Sequence, residues 1–572
     1  MINFTINDQL VEVEPETTIL EAAKQVGIHI PTLCYHPDLA VKANCRVCVV
    51  EVAGMDKLQA ACMTQVREGL VVETRSQRVR EARRIVVELM LANHDQTCTT
   101  CDSNGTCELR QLADRLNIKE NRYDQLLELS PIVGGNPSIL RDMNKCIKCG
   151  RCIQVCNDIQ QVGAIYNIGR STDMYMGPAY KNDLTQSHCT FCGQCINVCP
   201  VGAIYEKNDI KEVLDAIEDD SKHVIVQIAP AVRVSIGEMF GLSPGSIVTG
   251  KIPAILRKIG FDKVFDTDFT ADLTILEEGT ELLGRLKNNG VLPMLTSCSP
   301  GWINYIEQFY PELIPHLSTC KSPQQMFGAL AKTYYADKMG ISPDDLVVVS
   351  IMPCTAKKYE AQREEMGVGD TLDVDYVLTT REFGKMIKIV GYDINDAPEE
   401  AFDEPFGITT GAGVIFGASG GVMEAALRTV YEVVTGEELE DINLTAVRGM
   451  EGIKEASIPV GDLMVNVAVT NSLSRARDMM ELIKDGKADY HFVEVMCCPG
   501  GCIGGGGQPR PTTNAIRKER IAGIYEADAD MILRKSHKNP AVLKLYEEFL
   551  GEPNSHKAHE LLHTTYTERG MH

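Results

Sequence analysis

The cysteines constrain this chain most, because 15 of its 21 cysteines precede residue 200 in spacings that suit iron–sulfur ligand sets. The other six lie beyond residue 297, and five of them stand at or near the ends of apolar strands. This division predicts an N-terminal part that carries electrons and a C-terminal part that does chemistry with them.

Length and charge set the outer limits. A chain of 572 residues is too long for one domain. No apolar run is long enough to cross a bilayer, and the first residues alternate like a strand and lack the pattern of a signal peptide. We therefore expect a cytoplasmic protein, in which clustered cysteines favour metal over disulfides. The net charge of −23 argues against a nucleic-acid partner.

The first ligand group resembles a plant-type [2Fe–2S] ferredoxin, although its first gap is longer than usual. Short strands are expected over 3–6, 10–13, 48–52 and 71–73, with a helix near 19–26, which is the layout of a small β-grasp domain. Zinc remains an alternative, because C-x2-C spacing serves both metals. The four ligands are Cys34, Cys45, Cys48 and Cys62.

The second group combines one histidine with three cysteines: His94, Cys98, Cys101 and Cys107. Three thiolates and an imidazole close a tetrahedral site for an iron–sulfur cluster or for zinc. His94 could equally be a surface histidine. Its position at the end of an amphipathic helix predicted over 79–92, four residues before Cys98, favours a ligand role.

The third group is an internal repeat of the bacterial-ferredoxin type, and it is the most specific of these signals. In each run three cysteines bind one [4Fe–4S] cluster and the fourth crosses to the other. The first cluster is expected to take Cys146, Cys149, Cys152 and Cys199, and the second Cys156, Cys189, Cys192 and Cys195. The stretch between the runs is longer than in a minimal ferredoxin, so an inserted loop is expected.

These groups use every N-terminal cysteine and predict one [2Fe–2S] and three [4Fe–4S] clusters that form a wire. The chain is expected to be a multidomain α/β and α+β protein. Its predicted segments are a β-grasp [2Fe–2S] domain at 1–78, a small His/Cys3 cluster domain at 79–125, a bacterial-ferredoxin-like 2[4Fe–4S] domain at 126–209 and a large α/β catalytic domain at 210–572.

The last segment alternates apolar strands with helical stretches. Strands are expected over 224–228, 291–295, 346–351 and 491–495, and cysteine-bearing motifs follow three of them. Ligands of α/β sheets gather beyond the carboxyl ends of the strands, so these motifs are expected to meet at one site. The glycine runs at 411–421 and 504–507 lack the lysine of a phosphate loop and predict close backbone approach to a bulky inorganic group.

The strand-end motifs resemble the three signatures of the [FeFe]-hydrogenases. They read TSCSPGW at 296–302, MPCTAKKYE at 352–360 and EVMCCPGGC at 494–502. The resemblance covers essentially the whole chain and is strongest to the monomeric clostridial type. It implies a catalytic domain that holds the H-cluster, a [4Fe–4S] cubane joined through one cysteine to a diiron unit with CO, cyanide and azadithiolate ligands.

The same resemblance assigns the residues of that site. Cys354 and Cys498 match cubane ligands, and Cys502 matches the bridging cysteine. Lys357 matches a residue that hydrogen-bonds a cyanide, which suits an ammonium beside an anion. Positions that wall the diiron unit are matched by Pro230, Ala231, Gln324, Met352, Met496 and Phe416.

The resemblance also implies a proton route. Cys298 matches the thiol that relays the proton, and Glu278, Ser318 and Glu281 match the groups that pass it outward to Arg285. From spacing alone, Glu278, Glu281 and Arg285 at i, i+3 and i+7 indicate an ordinary salt-bridged surface helix, and only the neighbourhood favours a relay. Buried carboxylates suit this task, because burial raises their pKa.

The implied function is reversible H2 oxidation and proton reduction by a monomeric, ferredoxin-dependent [FeFe]-hydrogenase. Its partners would be a ferredoxin or similar small carrier, H2 and protons, and the maturation proteins that deliver the diiron unit. One alternative is a hydrogen or redox sensor of the same fold with slower turnover. Another is an electron-transfer subunit of a larger dehydrogenase, against which the strand-end cysteines argue.

The chain departs from the family pattern at Ser299, where relatives carry a cubane-ligating cysteine. Four alternatives follow: ligation through the serine oxygen, substitution by Cys497 or Cys320, a cubane that lacks one protein ligand, or an engineered change. Oxygen ligation is favoured, although a serine alkoxide is a harder donor than a thiolate. Cys497 could also cap the open iron under oxidation, or be an inert core residue.

Overall fold

The computed structural model describes residues 1–125, 127–368, 371–439, 441–461 and 463–570. Residue 126, at which the third predicted segment begins, and residues 571 and 572, at the end of the fourth, lie outside this part of the chain. Within it, no helix combines the length and the apolar character that a membrane span requires.

The N-terminal residues form a five-stranded sheet in the order β2-β1-β5-β3-β4, with β1 antiparallel to β2 and parallel to β5. Inward-facing residues alternate along β1 and β2, so one face of the sheet packs on the core. These elements confirm the strands and the helix expected here. Their bounds are β1 Ile2–Ile6, β2 Gln9–Val13, α1 Ile19–Gln25, β3 Val49–Val52, β4 Gln59–Ala60 and β5 Val71–Glu73.

The next part is mostly loop, held by short helices and two-stranded sheets that pair β6 with β9 and β7 with β8. The loops carry the cysteines, and the inserted β7–β8 hairpin occupies the extra length between the two cysteine runs. The bounds are α2 Gln77–Ala92, α3 Glu108–Arg115, β6 Ile139–Arg141, α4 Arg151–Gln154, β7 Tyr166–Ile168, β8 Tyr175–Gly177, α5 Gln194–Asn197 and β9 Ile204–Glu206.

The C-terminal part holds two four-stranded sheets covered by helices. One is all parallel in the order β11-β10-β13-β16, and the other has the order β12-β19-β18-β17 with only β17 antiparallel. The strands are β10 His223–Ile228, β11 Lys263–Asp266, β12 Met294–Leu295, β13 Leu346–Met352, β14 Gly367–Val368, β15 Thr371–Leu372, β16 Tyr376–Thr379, β17 Lys454–Val460, β18 Leu463–Asn471 and β19 Phe492–Met496.

The helices of this part pack on both sheets, as parallel strands require. Their bounds are α6 Ile210–Ile217, α7 Lys251–Ile259, α8 Asp268–Lys287, α9 Pro300–Phe309, α10 Pro323–Leu330, α11 Ala336–Met339, α12 Ala356–Glu360, α13 Thr380–Ile389, α14 Gly411–Val414, α15 Gly421–Thr435, α16 Leu473–Lys484, α17 Asn514–Ala529, α18 Pro540–Leu545 and α19 His556–Leu562.

Three of the four strands expected in this part are confirmed within two residues as β10, β13 and β19. The fourth is shorter than predicted, because β12 contains only Met294 and Leu295. Pro293 precedes it and has no amide hydrogen to donate to a ladder. The loops that follow β10, β12, β13 and β19 all line the same cavity.

Candidate functional site

The first four cysteines lie together on the loops beside β3 and β4. The Cys45 amide donates to the Cys34 sulfur at 3.4 Å, and the Cys48 and Cys62 sulfurs are 3.4 Å apart. All four side chains are buried. A hydrogen bond from Cys34 lowers the pKa of Cys45 to about 6, so this group of cysteines favours the thiolate form of Cys45. The group fits a metal with sulfur ligands.

In the second group the structure brings the three cysteines together. Burial raises the pKa of the Cys107 thiol, and the nearby charges of Cys101 and Cys98 raise it further. His94 is buried, and its Nδ1 has no hydrogen-bond partner among the described residues. An orphaned buried imidazole nitrogen is costly unless it binds a metal or a proton donor, which is consistent with the proposed ligand role.

The two ferredoxin-like runs have the same local geometry. Gly150 and Gly193 hold equivalent left-handed positions, with φ of 82° and 69°, and each precedes a short helix. In both runs the first cysteine sulfur accepts a hydrogen bond from the backbone amide of the residue two positions later. The Lys148 amide donates to Cys146 and the Phe191 amide to Cys189, each at 3.4 Å. The repeat therefore builds two similar sulfur cages.

The cysteines of the two runs group as the crossed pattern requires. Burial raises the pKa of Cys152 well above its ordinary value, and the charges of Cys149, Cys146 and Cys199 add to it. The pKa of Cys195 is raised in the same way by burial and by Cys192, Cys189 and Cys156. The fourth cysteine of each run thus lies beside the first three of the other.

A cavity lies where the carboxyl ends of the strands meet. Its volume is about 80 Å³, whereas a cavity needs only ~10–15 Å³ to hold one water molecule. Eleven of the residues expected around an inorganic group line it. They are Pro230, Cys298, Ser299, Gln324, Met352, Cys354, Lys357, Phe416, Met496, Cys498 and Cys502. Ala231 does not line the cavity, although it is buried beside it.

The donors in this cavity fit an iron–sulfur group. Burial, with the charge of Cys498 second, raises the pKa of Cys354 above its ordinary value and that of Cys502 to about 12. Three buried thiols so close together repel one another as thiolates, and cationic iron removes that cost. Ser299 lines the same cavity at the end of the loop before α9, where its oxygen accepts the Cys497 amide at 3.2 Å.

Glu360 is a residue of this site to which the sequence analysis assigned no role. Its carboxylate accepts the Lys357 ammonium at 2.8 Å, the Ser322 hydroxyl at 2.9 Å and the Gln324 amide at 3.1 Å. Lys357 also donates to the Cys298 carbonyl at 3.2 Å. Glu360 therefore positions both polar groups of the cavity wall. The i, i+3 spacing of Lys357 and Glu360 was the available signal.

The expected relay residues form a line from the cavity to the surface of α8. Burial and the charge of Glu278 raise the pKa of Cys298 well above its ordinary value. Burial raises the pKa of Glu278, and hydrogen bonding from the Ser318 side chain and the Ser297 backbone offsets part of that larger effect. Ser318 donates to Glu281 at 3.1 Å, and Arg285 donates to the other oxygen of Glu281 at 2.6 Å. Arg285 and Glu281 form the outer end of this line, with 14% and 12% of their side chains exposed.

Glu278 gives a pH dependence that can be measured. Burial, then the charge of Glu281, raises its pKa to about 8. Between that value and the ordinary carboxyl pKa of ~4.3, the folded chain holds a proton that the unfolded chain has released. Stability therefore falls as the pH rises through this window and is level above it, with a total loss on the order of 5 kcal/mol.

We expect Glu278→Gln to abolish this loss, because the amide does not titrate. Its apparent melting temperature, measured without oxygen, should exceed that of the parent chain by a margin that grows from about pH 6 to about pH 8. Glu281→Gln removes the charge that adds to this shift, so it should narrow the window from its upper end without abolishing the loss. A constant margin for Glu278→Gln at every pH would contradict a raised pKa.

The cavity shares a wall with the second ferredoxin-like cage. Cys192 lines the cavity, and Cys497 lies within hydrogen-bonding distance of both Cys192 and Cys498. The Cys497 hydrogen bond lowers the pKa of Cys192 to about 7. The Cys497 side chain thus lies between Cys192, an expected ligand of a [4Fe–4S] cluster, and Cys498, an expected ligand in the cavity. This short separation suits electron transfer between the two sites.

The glycine run at 504–507 corrects one expectation. A Cβ on Gly505 would meet the Pro353 carbonyl at 2.1 Å, and one on Gly506 would meet the Cys192 carbonyl at 2.3 Å. The close approach is therefore mainly to neighbouring backbone, where the ferredoxin-like segment docks. Arg381 holds this contact, since it binds Glu206 at 2.8 Å and the Gly506 carbonyl at 2.6 Å.

Models of known families match most of the chain. Residues 222–506 match the iron-only hydrogenase large subunit, C-terminal domain, and residues 514–569 match the iron hydrogenase small subunit. Residues 1–77 match a 2Fe-2S cluster binding domain. Residues 83–122 match the NADH-ubiquinone oxidoreductase-G iron-sulfur binding region, and 136–205 match the ferredoxin-like domain of NADH-quinone oxidoreductase subunit 3.

Similar proteins extend the match over the full length. The chain is 48% identical to the NADP-reducing hydrogenase subunit HndD of Solidesulfovibrio fructosivorans, over 100% of this chain and 99% of the relative. It is 40% identical to iron hydrogenase 1 of Clostridium pasteurianum, over 99% and 100%. The solved [FeFe]-hydrogenase HydA1 from Chlamydomonas reinhardtii is 45% identical, with a TM-score of 0.58 over 64% of this chain and 100% of that chain.

Proposed function

This chain belongs to the iron-only hydrogenase family, and from that premise we propose that it catalyses reversible H2 oxidation and proton reduction in the cavity between its two C-terminal sheets. The observation that carries the proposal is the convergence of three separate strand ends. Cys298, Cys354 and the Cys498–Cys502 turn come from distant parts of the sequence and line one buried cavity.

The residues of the cavity divide by role. Cys354, Cys498 and Ser299 would hold a cubane, and Cys502 would bridge it to a diiron unit. When bound, this group supplies an open iron position that binds H2 and a base that receives a proton. Lys357, fixed by Glu360 at 2.8 Å, would hydrogen-bond a diatomic anion. The remaining walls exclude water: Pro230, Gln324, Met352, Met496 and Phe416.

Cys298 receives or returns the proton at the cavity wall. Burial raises the pKa of Glu278 to about 8, so its carboxyl can accept and release protons near neutral pH, and Ser318 is its hydrogen-bonding neighbour. Ser318 and Glu281 carry the proton on to Arg285, which holds the outer carboxylate at 2.6 Å.

Electrons would use the cysteine groups as one [2Fe–2S] and three [4Fe–4S] clusters. The first group contacts the ferredoxin-like part directly, since Asn44 donates to the Cys149 carbonyl at 3.3 Å. The second contacts the same part, since the Glu108 amide donates to the Pro200 carbonyl at 2.9 Å. The first and second cysteine groups would therefore both pass electrons to the ferredoxin-like cluster that contains Cys149. The other ferredoxin-like cluster would pass them through its ligand Cys192 to the cavity.

We propose a cytoplasmic chain that exchanges electrons with a ferredoxin or a similar carrier, and that acts as a monomer. One observation favours a second candidate: the relative that is 48% identical over the full chain is a subunit of an NADP-reducing hydrogenase. Two electron inlets suit either partner. H2-dependent reduction of ferredoxin by the purified chain would support the first, and reduction of NADP only with added partner subunits would support the second.

The direct test is hydrogen evolution from reduced methyl viologen, after the maturation proteins have inserted the diiron unit. We expect sustained turnover that requires the diiron unit. Slow turnover with an intact cluster spectrum would favour the sensor alternative. The absence of both turnover and cavity-bound iron would favour the alternative of an electron-transfer subunit.

Ser299→Cys tests the fourth ligand of the cubane. We expect a changed electron paramagnetic resonance spectrum and a shifted cluster potential, because a thiolate is a softer donor than a serine oxygen. Cys497→Ala is the matched variant and should leave the cubane spectrum in place. Unchanged spectra in Ser299→Cys, together with cubane loss in Cys497→Ala, would assign the ligand to Cys497 and overturn oxygen ligation.

A further inference from the structure

One buried cluster joins Glu281 of the proton route to two side chains, Cys320 and His563, that take no part in the proposed function. It contains Glu281, Cys320 and His563, whose oxygen, sulfur and nitrogen donors all lie within 4.8 Å of one another. Cys320 and His563 are held side by side by a β-bridge between residue 320 and the end of α19. Both side chains are buried, and Glu281 is half-buried. The cluster therefore has fixed donors of three kinds.

We propose that Glu281, Cys320 and His563 form a Zn²⁺ site whose occupation closes the proton route. Zn²⁺ accepts thiolate, imidazole and carboxylate ligands together, and three protein ligands leave one position for water. Hard cations such as Mg²⁺ and Ca²⁺ prefer oxygen ligands alone. Binding would release the proton of the Cys320 thiol to solvent.

The surroundings of His563 support this assignment. Its Nε2 lies 3.1 Å from the Glu277 carboxylate, and its Nδ1 lies 2.8 Å from the Thr319 hydroxyl oxygen, which is 3.2 Å from a Glu281 carboxylate oxygen. When Nε2 donates to Glu277, the lone pair of Nδ1 lies on the side of Thr319 and Glu281. Zinc-binding histidines are oriented by such a carboxylate behind the ring.

The carboxylate behind the ring is itself fixed. Glu277 accepts the Tyr546 hydroxyl and, at 2.8 Å, the Asn554 amide. The local charge also favours a cation, since α8 presents three carboxylates here, Glu277, Glu278 and Glu281, against the single guanidinium of Arg285. A cation entering the cluster therefore meets an oriented imidazole in an acidic setting.

An entry path is present at the surface. His559 is exposed, and its ring stacks on that of His563 with centroids 4.0 Å apart. It offers a first ligand to a cation that approaches from solvent. Zinc at the cluster would then hold the Glu281 carboxylate that accepts the Ser318 hydroxyl, so the outer part of the relay could no longer exchange protons. This consequence rests on the proposed function, whereas the binding site does not.

The site is tested on the cluster-loaded chain after removal of adventitious metal with a mild chelator. With Zn²⁺ as the only added ligand, we expect one retained zinc per chain. The zinc-edge X-ray absorption spectrum should show one sulfur at about 2.3 Å and nitrogen or oxygen ligands at about 2.0–2.1 Å. Cys320→Ala should lose the sulfur signal, and Glu277→Gln should weaken binding about 10–100-fold. His537→Gln, a histidine paired with Glu432 at 3.0 Å elsewhere, should bind zinc normally.

Hydrogen evolution is measured in parallel, with each variant referred to its own zinc-free rate. Zinc should lower the rate of the parent chain at least tenfold and that of Cys320→Ala by less than twofold. No retained zinc, or an undiminished sulfur signal in Cys320→Ala, would overturn the site. The expected spectrum with undiminished hydrogen evolution would overturn closure of the route. The expected spectrum in a chain with no zinc-free activity would leave the site standing and count against the hydrogenase function.

Discussion

Cys502→Ala should lower hydrogen evolution to the background of a chain without the diiron unit. Cys502 is the cavity sulfur that matches the bridge between the cubane and the diiron unit, whereas the neighbouring Cys498 matches a ligand of the cubane itself. Without that bridge, the diiron unit has no covalent link to the chain. The measurements are methyl-viologen-linked hydrogen evolution and the infrared bands of CO and cyanide, both of which should disappear.

The control for this prediction lies in the rest of the chain. The N-terminal clusters are far along the sequence, so the electron paramagnetic resonance signals of the reduced wire should persist in Cys502→Ala. Retained CO and cyanide bands in this variant would show that another group anchors the diiron unit, and the assignment of Cys502 would then be wrong.

Cys298→Ala should lower the rate of hydrogen evolution by about 10²–10⁴-fold, the usual contribution of a positioned proton donor or acceptor. Cys298 lines the cavity, and the charge of Glu278 contributes to its raised pKa, so it is placed to connect the reacting centre with the relay. Alanine removes the only exchangeable proton of that side chain. Initial rates with reduced methyl viologen measure the effect.

Cys298→Ala differs from Cys502→Ala in what it should preserve. The infrared bands should remain, because Cys298 is not expected to ligate iron, and Glu278→Gln should share this phenotype. A rate within a few-fold of the parent chain would mean that protons enter the cavity elsewhere and that the line through Glu278 is not the route. Loss of the bands would instead make Cys298 a structural residue of the site.

Sequence alone predicts the cysteine cages well, because the spacing of their ligands is local. Cys146, Cys149 and Cys152 are three residues apart, so they lie close together independently of the tertiary structure. The same holds for the repeat that begins at Cys189. The crossed partner Cys199 is also foreseeable, since the pattern of two runs implies it. The structure groups these sulfurs as the spacing predicts.

Strand ends are predictable for a different reason. Buried parallel strands appear as continuous apolar runs, and β10, β13 and β19 are therefore visible in the sequence. Pro293 shortens β12 because a residue without an amide hydrogen cannot complete a ladder. The fold rule that ligands collect at carboxyl ends then places Cys298, Cys354 and Cys498 near one another before any coordinate is known.

What sequence does not reveal depends on contacts between distant segments. Glu360 orients Lys357 and Gln324, but Gln324 is 36 residues away along the chain. Cys192 lines the cavity because several contacts join the ferredoxin-like part to the catalytic part, among them the pair of Arg381 with Glu206. The glycines at 504–507 pack against that junction. Each of these roles follows from tertiary packing, for which no local pattern exists.

The proposed function depends on an iron pair with diatomic ligands in the cavity between the two C-terminal sheets. An infrared spectrum of the matured chain in the CO and cyanide stretching region addresses it without reference to activity. We expect sharp bands of metal-bound CO and cyanide that are absent from Cys502→Ala. A chain with full iron in its clusters, after exposure to the maturation proteins, but with no such bands would contradict the assignment.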